Sequence, residues 1–154
     1  MTGERGLQMA QTTVHVRSVH DASFAVGWAG KHSLTIDRPE QEAGCGYGFS
    51  GGDLLLMAIG ACFVNDLQQE AEKRGISLLG ARVVCECDWG GEPVRAQNIT
   101  LSVRIEAEAD EDAILELAEA VDKQGRVHNT LRHGVEIPAS ECEVVSVEVE
   151  AERP

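Results

Sequence analysis

Two periodicities organise the chain. Across Thr12–Val19, Val14 and Val16 alternate with His15 and Arg17, which predicts a half-buried strand. Phe24, Val26 and Trp28 repeat the alternation; after a turn at Gly30–Lys31, Leu34 and Ile36 form a third short strand. The short connections predict an antiparallel meander. Asp37–Ser50 breaks the pattern. Pro39, Gly44, Gly46 and Gly48 make it a loop, with Cys45, Tyr47 and Phe49 between the glycines. A long Gly-punctuated loop inside a compact domain is often functional.

The period then changes to that of a helix over Gly51–Arg74. Its first three turns are apolar on nearly every side (Leu54, Leu55, Leu56, Met57, Ile59, Phe63, Val64), the pattern of a helix buried all round. From Asn65 it becomes polar. Lys73 and Arg74 suit the negative end of the helix dipole, and Gly75 is a natural terminating residue. Strict alternation returns in Ala81–Trp89 and Ile99–Ala107, linked by Gly90, Gly91 and Pro93. Asp110–Asp122 reads as a second helix with acids at its N-terminus and Ile114, Leu115, Leu117, Ala118 and Val121 on one face. Gly125 interrupts the helical pattern, and Arg126–Arg132 forms another helical turn. Glu141–Ala151 reads as a final strand with Val145, Val147 and Val149 inward. The order β-β-β-α-β-β-α-β lacks the alternation of a parallel α/β sheet and predicts an α+β fold with antiparallel sheets. Residues 1–11 read as a flexible N-terminal tail and 12–154 as one domain.

Composition narrows the function classes. The 154 residues carry a formal charge of −13, with seven Lys and Arg against seventeen Asp and Glu in residues 77–154. That field disfavours phosphate backbones and anionic membrane surfaces, so no nucleic-acid or membrane partner is expected. The longest apolar run, Leu54–Val64, has 11 residues, against about 20 for a bilayer span. Met1–Gln11 holds no apolar signal core, so a cytoplasmic location is expected. Five cysteines, an odd number in a chain long enough for its own core, fit reduced thiols better than a disulfide framework.

Cys62 is the most suggestive thiol. Asn65 and Asp66 follow it by three and four positions, on its side of the helix. A buried cysteine can equally be a small hydrophobe; reactivity requires a cationic or hydrogen-bonding neighbour. His128 is a candidate neighbour, able to take the thiol proton with Asp66 orienting its ring. It can also be a satisfied polar residue. Asn129 and Arg132 accompany it in Val127–Arg132. Cys45 reads as a flexible loop thiol. Cys85 and Cys87 share a strand face that reads as core, and no His stands at a structural-zinc spacing, so no metal is expected.

Gly48-Phe49-Ser50-Gly51-Gly52-Asp53-Leu54-Leu55-Leu56-Met57-Ala58-Ile59-Gly60-Ala61-Cys62 resembles the Gly-x-Ser-Pro-x-Glu-Leu-Leu-Leu-x-Ala-Leu-Gly-x-Cys helix start of the osmotically inducible protein C and organic hydroperoxide resistance (OsmC/Ohr) family. Gly125-Arg126-Val127-His128-Asn129-Thr130-Leu131 resembles its later Cys-Pro-Val-His-x-Thr-Leu segment, and His32–Glu40 its third strand and following loop. The resemblance spans roughly residues 12–150. It implies an OsmC-like fold, antiparallel sheets around a long buried central helix, in an intertwined homodimer with sites at the interface. Peroxidatic members attack the peroxide with one cysteine and resolve the sulfenic acid with a second. Cys62 matches the first position; the second falls on Gly125. The Glu that organic-hydroperoxide members place ten residues upstream falls on Gly52, beside Asp53. The resemblance thus implies a one-cysteine, thiol-dependent hydroperoxide reductase in oxidative-stress defence. Its catalytic residues would be Cys62 and His128, with substrate contacts from Asn65, Asp66, Asn129 and Arg132. Cys45 is a candidate displaced resolver, and no cofactor is needed. The reductant is an external thiol. The alternative is a non-peroxidatic protein that binds an apolar small molecule at the dimer interface.

Overall fold

The computed structural model describes residues 10–138 and 141–146. Strands β1 (His15–Ser18), β2 (Ala25–Ala29) and β3 (His32–Ile36) form one antiparallel sheet in that order. Helix α1 (Gly51–Arg74) follows, then β4 (Ser77–Gly90) and β5 (Arg95–Glu108) pair antiparallel as a second sheet. Helices α2 (Glu111–Gln124) and α3 (Arg126–His133) complete the described elements. The expected α+β class with antiparallel sheets is the one observed.

Local chemistry explains the bounds of α1. Ser50 Oγ accepts from the Asp53 N–H at 3.1 Å, and the Ser50 N–H donates to Asp53 Oδ2 at 2.8 Å. This reciprocal cap satisfies two donors at the helix start. At the other end Gly75 takes φ 67°, and its N–H reaches the Ala71 and Glu72 carbonyls. Asp110 caps α2 by accepting from the Ala113 N–H at 2.8 Å. Gly125 separates α2 from α3.

The core lies where α1 meets α2 and the β4–β5 ribbon. Phe63, Leu67 and Ala71 of α1 bury against Leu117 and Val121 of α2, with Ile76, Leu78, Ala81, Val83, Leu101 and Ile105 packed around them. Each deeply buried aliphatic side chain contributes roughly 1.5–3 kcal/mol.

Three expectations differ from what a single chain shows. Within one chain α1 is not buried on all sides: Ile59, Phe63, Leu67 and Ala71 form one buried stripe, while Met57 stays exposed. One ribbon and one helix pair cannot surround an α-helix. β1 is not half-buried either. Val14 and Val16 are 61% and 62% exposed, because the meander's main contacts are among its own strands. Glu141–Ser146 also forms no strand, and Val145 is exposed. Val147 and Val149, with residues 1–9 of the expected tail, lie outside the described residues.

The loop after β3 is tied by one buried acid. Asp37 accepts from the N–H groups of Arg38 at 2.8 Å, Cys45 at 3.1 Å and Tyr47 at 3.1 Å, and from the Ser23 hydroxyl at 3.4 Å. Burial pushes its pKa up, but these donors outweigh that and hold the carboxyl below its ordinary value. This knot returns Phe49 beside Ile36 and delivers the chain to the α1 cap.

Candidate functional site

Cys62 sits in the second half of the apolar segment of α1 and is half-buried. Its thiol donates to Asp66 Oδ2 at 3.4 Å, the contact one helical turn allows. Phe63, the next residue, points into the core, and its ring centroid lies 6.0 Å from that of His128. The helix thus splits the expected constellation between neighbouring directions: Cys62 meets Asp66, and His128 meets Phe63.

His128 is 5% exposed, and among the described residues neither ring nitrogen has a hydrogen-bond partner. The expected relay, His128 taking the Cys62 proton while Asp66 orients the ring, is therefore not formed in this chain. Burial is the main cause holding the imidazole pKa below its ordinary value; Arg132 adds to this, and Asp122 and Asp66 oppose it. The neutral form of the ring is thus favoured. Arg132 is engaged elsewhere: Nη2 contacts Asp122 Oδ1 at 2.8 Å and Oδ2 at 3.0 Å, and Nη1 donates to the Asp122 carbonyl at 2.9 Å. Asn129 donates to the Lys123 carbonyl at 3.0 Å, so it fastens α3 to the end of α2. Asn65 lines a shallow groove along α1 with Gly60, Ala61, Val64 and Cys85.

Both glycines at the departing family positions are covered by aromatic rings. A Cβ on Gly125 would stand 2.7 Å from His128 Nδ1, so a cysteine there requires the imidazole to move. A Cβ on Gly52 would stand 2.7 Å from Cζ2 of Trp89. Asp53 does not replace the missing acid, because its carboxylate is held in the α1 cap. Its pKa is lowered by the Ser50 hydroxyl and then by the Ser50 N–H.

The other thiols are dispersed. Cys45 is exposed on the Asp37 loop, and all five cysteines are free. Cys85 packs beside Gly60, and burial pushes its thiol pKa up. Among the described residues no group of three His, Cys, Asp or Glu could hold a metal ion. No described helix is long and apolar enough to cross a membrane. Three residues that shape the site were not singled out as site residues in the sequence. Trp89 and Phe63 read as strand and helix apolar positions, and Asp122 as a helix acid.

An α+β fold with one thiol on a long central helix and a buried His after a helix break defines the class. The model of the family described as OsmC-like protein matches residues 43–140, and the chain belongs to that family. An OsmC-like protein from Mycoplasma pneumoniae is similar in structure, with 21% identity, a TM-score of 0.69 and coverage of 81% of this chain and 89% of that one. An OsmC-like protein from Vibrio cholerae has 6% identity, TM-score 0.68 and coverage of 79% and 94%. An organic hydroperoxide resistance protein from Elizabethkingia anophelis has 14% identity, TM-score 0.58 and coverage of 84% and 94%. At these identities the likeness concerns the fold. No curated protein matches the chain in sequence.

Proposed function

We propose that the chain reduces organic hydroperoxides through Cys62 as a one-cysteine, thiol-dependent enzyme. The observation that carries this reading is the half-buried Cys62 thiol donating to Asp66 at the helix position that matches the family's reactive cysteine. Asp66 takes the thiol proton as sulfur attacks the terminal peroxide oxygen. The S–O bond forms, the O–O bond breaks, and the leaving alkoxide takes that proton. The products are a Cys62 sulfenic acid and an alcohol. An external thiol then attacks the sulfur, releasing water and leaving a mixed disulfide. A second thiol restores Cys62 and leaves as the external disulfide. Position 125 supplies no internal resolver. A cytoplasmic setting, rich in small thiols, suits this cycle.

The second copy belongs to the same proposal. The exposed apolar residues of the meander and the open side of α1 are the surfaces a homodimer would cover. A second reading, apolar small-molecule binding, is supported by a cavity beside His128.

Intact mass after graded tert-butyl hydroperoxide tests the enzyme. One oxygen should be gained at Cys62, replaced by a thiol adduct when glutathione is present. Cys62→Ser should abolish both. Asp66→Asn should slow the first step by about a hundredfold, the lower range for a lost general base. An unmodified Cys62 would sink the proposal. A disulfide between Cys45 and Cys62 would show instead that Cys45 resolves the sulfenic acid.

A further inference from the structure

The thiol cycle leaves His128 without a task. Its two ring nitrogens have no partner among the described residues, although the residue is almost wholly buried. An orphaned buried polar group is uncommon and asks for a partner that the described residues do not supply. The ring borders a cavity of about 310 Å³ between the start of β5, α1 and α3. Ile59, Ile99, Leu101 and Leu131 make its apolar walls, Gln97 and Asn98 form a polar rim on β5, and Arg132 stands with His128 at the α3 side. Cys62 does not line it.

We propose that this cavity binds a neutral, mainly aliphatic molecule bearing one hydroxyl, which His128 holds by a hydrogen bond. The proposal deepens the small-molecule reading and places its site apart from Cys62. The walls select an aliphatic body. The charges around the ring select a neutral head. Arg132 on α3 is already paired in two-pronged fashion with Asp122 on α2, and Asp66 on α1 adds a further negative charge. A carboxylate would thus enter an acidic surrounding in which the one lining cation, Arg132, is already paired, a penalty that a neutral hydroxyl does not meet. A neutral imidazole offers one N–H and one lone pair, so a hydroxyl can serve either nitrogen. The bare Cα of Gly125 is what lets the ring lie here; both nitrogens are covered in this position, so the proposed hydrogen bond requires the ring to turn about its broad χ2 torsion when the ligand enters.

Titration with 1-hexanol, hexane and hexanoate tests this on the full chain, read by thermal shift and by the ring ¹⁵N resonances of His128. Hexanol should raise Tm saturably and move the ring resonances; hexanoate should do neither, and hexane should move Tm less. His128→Phe should weaken hexanol binding about tenfold, the order of one lost hydrogen bond. Leu131→Trp, which fills the cavity from its wall and keeps the imidazole, should abolish it. Cys62→Ser should bind hexanol unchanged, so failure here and failure of the peroxidase proposal are separable. The inference is overturned if hexanol leaves the His128 resonances still, if Leu131→Trp binds as the parent does, or if hexanoate binds as well as hexanol.

Discussion

The two sheets of this chain are built from the same alternating pattern but end in different environments. The β4–β5 ribbon has its alternation answered. Val83, Leu101 and Ile105 on one face meet α1, whose stripe meets α2 in turn. The β1–β3 meander alternates as clearly, yet Val14 and Val16 face solvent. Alternation states which residues seek cover, and only the arrangement of other elements says whether cover arrives within the same chain. A shallow apolar groove of about 240 Å³, edged by Val16, Trp28, Leu34 and Leu54, remains on the meander.

Mutation can break this comparison. The largest effect is expected at Leu117→Ala, which opens a void under the α1 stripe. It should lower stability by about 2–5 kcal/mol in urea unfolding. A cost below about 1 kcal/mol would mean that the α1–α2 contact is not the true core.

A smaller effect should appear with pH in the same half. The folded-state pKa of His128 lies below the ordinary value of 6.5, so between the two the unfolded chain binds more protons. Stability should therefore fall as pH drops below 6.5 and level once the folded-state pKa is passed. His128→Phe should flatten that slope. A slope that survives the substitution would assign it to another group. Asp37 bears the opposite charge type and acts lower: its depressed pKa removes stability only as pH falls below its ordinary value of 3.8.

The smallest effect is expected at Val16→Ala in dilute protein, about 0.5 kcal/mol or less, as for exposed positions generally. The same variant should become costly as concentration rises if a second copy covers the meander, because association adds to apparent stability. Unfolding midpoints at several concentrations, with sedimentation, check this. A cost that is large and independent of concentration would place the missing cover inside the chain.

Much of this protein was legible in one dimension. The bounds of α1, Gly51–Arg74, follow from Ser50, Asp53 and Gly75, whose capping chemistry is local. The turn at Gly30, the break at Gly125 and the pairing of Cys62 with Asp66 are local too, since each rests on residues at most four apart. The resemblance matched Cys62 to the family's reactive position and marked the two departures at positions 52 and 125. What filled those departures was not legible. Trp89 reaches Gly52 from a strand that begins 25 residues later, and the His128 ring settles on Gly125 because α3 turns it inward. The expected Cys62–His128 relay gave way for the same reason: adjacent helix positions point about 100° apart, so Cys62 and Phe63 serve different neighbours.

Sequence alone therefore determined most of the elements, the ends of α1 and the class of fold, because caps, periodicity and turn residues act over a few positions. Tertiary structure decided which apolar faces are covered, which donors Asp37 gathers, and that His128 is buried without a partner. Those outcomes depend on which distant side chains share a volume, and no short-range pattern encodes that.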